Sequence, residues 1–418
     1  MKQASSFFRL GHWPTLLSSF LYFDTSFMIW VLFGPLSVLI AKEYHLSPVQ
    51  AANLVAIPTL SGSILRVIFG WLGDRIGQKR TGQLGMLVTA VPLVWGWKFA
   101  HSVSEFTAIA VLLGVAGASF AVALPLASKW YPKSHQGLVL GICGAGNSGT
   151  IFATLFANRL AAHFHSWHAV FGLALIPLTM VLLIFTVCAR QAKENAQEPV
   201  RLSSYLELLR TGDTWIFCLC YWMTFGGFVG MTTYLTLFFH TQYALDAIQS
   251  SDFATICVIA GSFVRPVGGW LADRFGGIRV ILALYASIFV LLVAASRLLP
   301  LKAETVVLFF LMLSFSLGNG ALFQLVPLRF PALVGLATGF VGAFGGIGGY
   351  VLPKLLAACK AWSGSYADGF LLLTILPLVS IALVLWSKQR WESTFVGLGG
   401  RANRDGIFGA DEQGVASS

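Results

Sequence analysis

Two arginines carry the chemistry of this sequence. Arg66 and Arg265 stand 199 residues apart inside long apolar runs, and each lies eight residues ahead of an Asp-Arg pair, Asp74-Arg75 and Asp273-Arg274. A guanidinium is a planar fork of N–H donors that stays charged, so it meets an anion with directed hydrogen bonds where an ammonium offers a point charge. At about 1.5 Å per helical residue, eight residues put each arginine roughly 12 Å from its helix end, near the middle of a hydrocarbon core about 30 Å thick. A cation there costs at least about 2.5 to 3.5 kcal/mol on insertion scales. Two such cations at one depth call for an anion.

The stretches that hold them are copies. Ser63–Arg80 reads SILRVIFGWLGDRIGQKR and Ser262–Arg279 reads SFVRPVGGWLADRFGGIR, matching at Ser, Arg, Gly, Trp, Leu, Asp, Arg, Gly and the final Arg. Half of the chain is therefore a repeat of the other half. Each copy begins in an apolar run and ends in a charged turn, as a membrane helix does on leaving the bilayer.

The elements around them are apolar enough to span. The 418 residues are 56% hydrophobic and only 11% charged, where soluble domains average about 25% charged. Apolar runs fall near 14–41, 50–73, 81–100, 104–128, 136–160, 168–189, 214–240, 251–272, 280–299, 304–327, 332–358 and 366–387. These are helices 1 to 12, and the fold class they predict is an all-α integral membrane protein of two pseudo-symmetric six-helix bundles. The expected domains are an N-terminal bundle over 1–189, a linker over 190–213, a C-terminal bundle over 214–387 and a polar tail over 388–418. The first run is too long for a cleaved leader, so helix 1 is expected to persist.

A net charge of +10 raises the question of nucleic acid, but its distribution answers it. With the N-terminus placed in the cytoplasm, 18 Lys/Arg fall on that side, seven fall outside, and the remaining two are Arg66 and Arg265. This is the positive-inside bias of a plasma-membrane (inner-membrane) protein with both termini cytoplasmic. The six cysteines lie in or beside apolar runs with no C-x-x-C spacing, and read as small core residues. No metal, cofactor or nucleic acid is expected. Enzymatic signatures such as H-E-x-x-H, G-x-S-x-G or a Walker loop are absent, and His163, His165 and His168 gather only in the loop between helices 5 and 6.

Other polar groups lie at lipid depth. Asp24 in helix 1 either pairs with a cation, carries a coupled proton, or is held by neighbouring Ser/Thr hydroxyls. Helix 10 holds Asn319 and Gln324, for which hydrogen bonding within the bundle is the alternative to a functional role. Helix 5 contains GICGAGNSG over 141–149 and helix 11 contains GFVGAFGGIGG over 339–349. Glycine costs about 1 kcal/mol in helical propensity, so these positions must let a backbone or a small ligand come close. Asn147 can donate to an anion's oxygen without adding charge.

The loop over 70–80, GWLGDRIGQKR, and its copy resemble the G-x-x-x-D-R-x-G-x-x-R element of the major facilitator superfamily, whose fold the twelve segments match. The resemblance gives Asp74, Arg75, Asp273 and Arg274 the role of a cytoplasmic gate that ties helix ends together while the halves rock. The paired glycine-rich segments, the two arginines and GNGALFQLVPLRF in helix 10 are similar to the nitrate/nitrite porter family. That resemblance implies an alternating-access carrier, not an enzyme, with the anion between Arg66 and Arg265. It further implies contacts from Asn147, from Tyr234 and Phe238 of helix 7, and from Phe120 of helix 4, where the family often has Asn in place of Ser119. Gly144, Gly146, Gly149, Gly342, Gly345 and Gly346 would line the substrate path.

The expected partners are nitrate or nitrite, protons and the bilayer, with the chain a monomer. Nitrate uptake by proton symport, with Asp24 as the coupling group, is the primary expectation, and nitrate/nitrite exchange is the alternative. An organophosphate carrier shares the two-arginine logic but would need a wider cavity. A non-transporting nitrate receptor would be expected to add a signalling domain, whereas about 30 polar residues follow Lys388.

Overall fold

The computed structural model describes residues 10–132, 136–192, 202–331 and 333–401. Each of the twelve expected segments falls on a helix. Eleven are long and apolar enough to cross a membrane: helix 1 Trp13–Glu43, helix 2 Pro48–Ile76, helix 4 Val103–Ser128, helix 5 Val139–His163, helix 6 His168–Cys188, helix 7 Gly212–Tyr243, helix 8 Ala247–Phe275, helix 9 Gly277–Ala295, helix 10 Leu301–Arg329, helix 11 Val334–Ser363 and helix 12 Ala367–Thr394. Helix 3, Gln78–Lys98, has 21 residues and so is about 31 Å long. It is less apolar because it opens on Gln78-Lys79-Arg80-Thr81. The fold is all-α, with no strand among the described residues.

Local signals explain where these helices start and turn. Helix 2 opens on a reciprocal capping box between Ser47 and Gln50, followed by Pro48 in the first turn. Helix 8 opens on Asp246, whose carboxylate accepts from the Gln249 N–H. The two copied turns need a backbone that only glycine adopts readily: φ is +91° at Gly77 and +97° at Gly276. Large apolar side chains such as Ile64, Val67, Ile68, Leu87, Val91, Leu183 and Val187 stand exposed around the helices. They form the lipid-facing surface of the bundle.

The halves pack through glycine. A Cβ on Gly346 of helix 11 would lie 1.9 Å from Ser63 Oγ of helix 2, and one on Gly34 of helix 1 would lie 2.8 Å from the Thr233 carbonyl oxygen of helix 7. On the face opposite the Asp-Arg turns, helices 1, 5 and 8 are tied together. Asn158 Nδ2 donates to the carbonyls of Pro35 and Ala247 and to Ser251 Oγ at 2.7 to 2.9 Å, and Arg159 pairs with Asp252 at 2.7 Å.

The Asp-Arg face holds each half together separately. In the C-terminal half, Asp213 accepts from Arg329 Nε at 2.7 Å, from Trp391 Nε1 at 2.8 Å and from Arg390, joining the ends of helices 7, 10 and 12. In the N-terminal half, Thr15 Oγ1 accepts the Arg190 N–H and Trp130 Nε1 donates to the Arg190 carbonyl.

The last helix runs to Thr394, past the expected boundary at 387. The chain then turns back, so that the carbonyls of Gly400 and Gly399 accept the N–H groups of Gly277 and Arg279. Gln324 of helix 10 donates to the same Gly400 carbonyl, which accounts for one of its two polar ends. The middle of the expected linker, 193–201, and the end of the expected tail, 402–418, lie outside the described residues.

Candidate anion site

Four helices lose regular α geometry at one depth. Helix 4 breaks at Ala118–Ser119, helix 5 tightens into a 3-10 turn over Ala145–Ser148, helix 7 widens into a π turn over Trp222–Gly226, and helix 8 interrupts at Phe263–Val264 just before Arg265-Pro266. Such turns leave backbone groups free and are tolerated at membrane depth only where they line a protein interior. The arginines sit among them.

Arg66 is 2% exposed. Its Nε donates to the Gly117 carbonyl beside the break in helix 4, and its Nη1 donates to the Gly342 carbonyl of helix 11, both at 2.9 Å. Its Nη2 is buried with no partner. Arg66 therefore keeps Nη2 and the second Nη1 N–H for a ligand. Arg265 is 5% exposed and its Nη1 is likewise buried without a partner. Among the described residues neither arginine is paired with a carboxylate.

Aromatic rings enclose both cations. The guanidinium carbon of Arg66 lies 5.1 Å from the centre of Phe120, 4.9 Å from Phe225 and 5.2 Å from Trp30. That of Arg265 lies 5.4 Å from Phe120 and 5.1 Å from Phe323. Tyr221 stacks on Phe225 at 5.0 Å and meets Phe323 edge-on at 4.9 Å, and its buried hydroxyl faces Arg265. Ring faces at these distances attract a guanidinium while excluding water. Phe120, expected from the sequence, is thus placed between the arginines.

Asn147 lies in the 3-10 turn of helix 5, fully buried, with both ends of its amide unpartnered. Gly144, one turn earlier, would bring a Cβ to 3.4 Å from Arg265, and Gly342 would bring one to 3.5 Å from Phe120. The other expected glycines serve packing. Gly146 and Gly149 lie against Phe23 and Asp24 of helix 1, Gly345 against Tyr221 and Phe225, and Gly346 against Ser63.

Tyr234 and Phe238 are not brought to the arginines. Tyr234 Oη is 3.2 Å from Tyr366 Oη, which is 2.7 Å from Thr241 Oγ1, and Phe238 packs on Tyr366 and Phe370. The helix 7 residues at the arginines are Tyr221 and Phe225. Depth explains the difference. Arg66 and Arg265 are each ten residues from the Asp-Arg end of their helix, and Tyr221 is nine from that end of helix 7, whereas Tyr234 is 22. Counting from that end would have selected Tyr221 in the sequence. Phe225 lies one turn beyond Tyr221, and Phe323 lies one turn nearer the Asp-Arg end than Asn319, so neither follows from that count.

Asp24 is tied to helix 5, not to an arginine: Ser148 Oγ donates to its Oδ1. At the copied turns, Arg75 rests on Trp71 at 4.5 Å and Arg274 on Trp270 at 5.5 Å, each one helical turn back, and Asp74 and Asp273 are exposed.

The centre gathers two desolvated cations and the neutral amide of Asn147 among aromatic rings, a set of groups suited to an anion. The sequence profile described as Major Facilitator Superfamily matches residues 16–353. The chain is 31% identical over 360 residues to the "Nitrite extrusion protein" of Bacillus subtilis, covering 86% of this chain and 90% of that one. It is 30% identical to the "Probable nitrate/nitrite antiporter NarK1" of Thermus thermophilus, covering 88% and 89%, and 32% identical to the "Probable nitrate/nitrite transporter NarK2" of Mycobacterium tuberculosis, covering 85% and 91%. A solved bacterial homologue of the human lysosomal transporter Spinster, in an inward-facing and occupied conformation, superposes with a TM-score of 0.67 over 90% of this chain and 96% of that one. At 14% identity that likeness speaks to the fold. On these matches the chain is a multi-pass membrane transporter, and it belongs to the nitrate/nitrite porter family of the major facilitator superfamily.

Proposed function

We propose that the chain is an alternating-access carrier that binds one nitrate or nitrite between Arg66 and Arg265 and works by exchanging one anion for another. The carrying observation is that Arg66 Nη2 and Arg265 Nη1 are buried and unpartnered, with no carboxylate among the described residues on either guanidinium. An unpaired buried charge costs several kcal/mol, so a mobile anion is the natural partner. Without one, the empty site holds two uncompensated cations and resists reorientation, which favours exchange over net movement. The names of the relatives, an extrusion protein and an antiporter among them, support the substrate class.

Proton symport is a second reading, favoured by Asp24. Its carboxylate is hydrogen-bonded to Ser148, the neighbour of Asn147, so a proton on Asp24 would be felt at the anion through two adjacent residues. The charge bias of the sequence puts the Asp-Arg face and both termini in the cytoplasm of a cell membrane. In that orientation the contacts of Asn158 and Arg159 close the outer face.

The test is uptake of labelled nitrate into proteoliposomes loaded with nitrite, with nothing, or with an inward proton gradient. Exchange predicts rapid uptake only with internal nitrite. Uptake into empty vesicles driven by the proton gradient would replace it with symport, and no uptake of either anion under any condition would reject the carrier.

A further inference from the structure

Helix 10 carries a polar side chain that the arginine site does not use. Asn319 is fully buried, and both ends of its amide lack a hydrogen-bond partner. Orphaned buried amides are rare because each end loses water without compensation. Gln324, the other amide of this helix, has its Nε2 donating to the Gly400 carbonyl, whereas neither end of Asn319 has a partner.

The glycines on either side of Asn319 fix its direction. Gly318 faces helix 7, where a Cβ would lie 2.5 Å from the Thr224 methyl. Gly320 faces helix 8, where a Cβ would lie 2.0 Å from the Arg265 carbonyl. Asn319 projects between them, on the same side as Phe323 one turn along, whose ring centre is 5.1 Å from the Arg265 guanidinium carbon. It stands ten residues from the Asp-Arg end of its helix, the depth of both arginines.

A three-oxygen anion offers one more acceptor atom than a two-oxygen anion, and the arginines approach it from helices 2 and 8 only. Arg66 spends its Nε–H and one Nη1–H on backbone carbonyls, leaving three of its five N–H donors. Asn319 adds a donor from helix 10 at the same depth.

We infer that Asn319 is a substrate contact that donates through Nδ2 to the anion's third oxygen and so favours nitrate over nitrite. This rests on the carrier reading proposed for the chain. Nitrite has two oxygens and loses less when one donor is removed.

The experiment compares nitrate and nitrite KM in exchange-loaded proteoliposomes for the native chain, Asn319→Leu and Asn319→Asp. Leucine keeps the volume and removes the donor; aspartate keeps the shape and replaces the donor with an acceptor. The expected result is a nitrate KM about tenfold higher in Asn319→Leu, the usual size of one charge-assisted hydrogen bond, with a nitrite KM changed less than about threefold. Should the leucine variant fail to fold, nitrate-induced thermal stabilisation of Asn319→Asp probes the same contact and is expected to be lost. An unchanged nitrate KM, equal loss for both anions, or full nitrate stabilisation of Asn319→Asp would overturn the inference. A native chain that moves neither anion rejects the carrier reading itself, independently of the variants.

Discussion

Arg66 and Arg265, from opposite halves of the repeat, rest on one ring: their guanidinium carbons lie 5.1 and 5.4 Å from the centre of Phe120. The two cations are therefore at most roughly 10 Å apart, where like charges repel by at least about 1.5 kcal/mol at an effective dielectric constant near 20. One bound monovalent anion relieves that repulsion for both halves at once. The ring belongs to helix 4, in the same half as Arg66, so a shift of one half against the other changes its contact with Arg265 and leaves that with Arg66 in place.

The arginines differ in what else they hold. Arg66 links helix 2 to helices 4 and 11 through two backbone carbonyls, and hydrogen bonds from a charged donor contribute about 1.5 to 3 kcal/mol each. Arg66→Lys is expected to lose transport and to lower the melting temperature. Arg265→Lys, resting on rings, is expected to lose transport with a smaller thermal change. Melting curves beside uptake measure this; equal melting shifts would contradict the assigned difference.

For Asp24, the contact with Ser148 separates the coupling schemes. Asp24→Asn keeps an oxygen for the Ser148 hydroxyl but cannot ionise. Nitrate/nitrite exchange is expected to persist in this variant, while any uptake driven by a proton gradient disappears. Proton-driven uptake at the native rate in Asp24→Asn would remove the carboxyl from the mechanism.

The repeat, the twelve segments, both arginines and Asn147 were legible in the sequence because each is a local signal: a copied string, an apolar run, a charge or amide at lipid depth; Phe120 was reached only through the family resemblance. Tyr221, Phe225 and Phe323 were not, because an aromatic in an apolar helix carries no mark of function, and comparing depth across helices supplies one only for Tyr221. The commitment of Arg66 to Gly117 and Gly342 was also illegible. It depends on a helix break at Ala118–Ser119 that no proline or charge announces. The fold-back of Gly399 and Gly400 onto helix 9 was hidden for the opposite reason, since glycine-rich polar composition reads as tail.

Glycine density in helices 5 and 11 mixes two roles that alanine can separate. At Gly149 a Cβ would sit 1.9 Å from the Asp24 carbonyl oxygen, a backbone atom that cannot swing aside, whereas at Gly339 nothing lies within 4 Å. Gly149→Ala is expected to force helix 1 from helix 5, at a cost of about 1 to 3 kcal/mol or more, with loss of transport. Gly339→Ala is expected to be neutral or stabilising by up to about 1 kcal/mol, the helix-propensity gain. Thermal melts and uptake of both variants check the contrast.

On the face opposite the Asp-Arg turns, Asn158 and Arg159 are adjacent but unequal. The Arg159–Asp252 pair is about 40% exposed on both sides, so screening leaves it worth about 0 to 1 kcal/mol. The amide of Asn158 is buried and bridges helices 1, 5 and 8, and breaking it costs about 1 to 3 kcal/mol. Asn158→Ala is expected to shift the population toward opening on that face by about tenfold, and Asp252→Asn by little. Spin-label distances across the face read both variants, and equal shifts would assign the closure to the ion pair instead.

The copied turns are alike in backbone but not in what covers them. Gly77 and Gly276 have φ of +91° and +97°, a region that costs an alanine about 1 to 3 kcal/mol. Beyond that shared cost, a Cβ at Gly77 would meet only the flexible end of Gln191 at 3.4 Å, while at Gly276 it would lie 2.2 Å from the Gly399 carbonyl oxygen. Gly276→Ala must therefore also expel the segment Gly397–Arg401, whose Gly399 and Gly400 carbonyls cap helix 9 and whose Gly399 N–H is held by Glu392. It is expected to melt below Gly77→Ala and to expose the C-terminal segment to protease, which Gly77→Ala leaves protected. Equal melting and equal cleavage in the two variants would mean that the fold-back adds nothing to the stability of the C-terminal half.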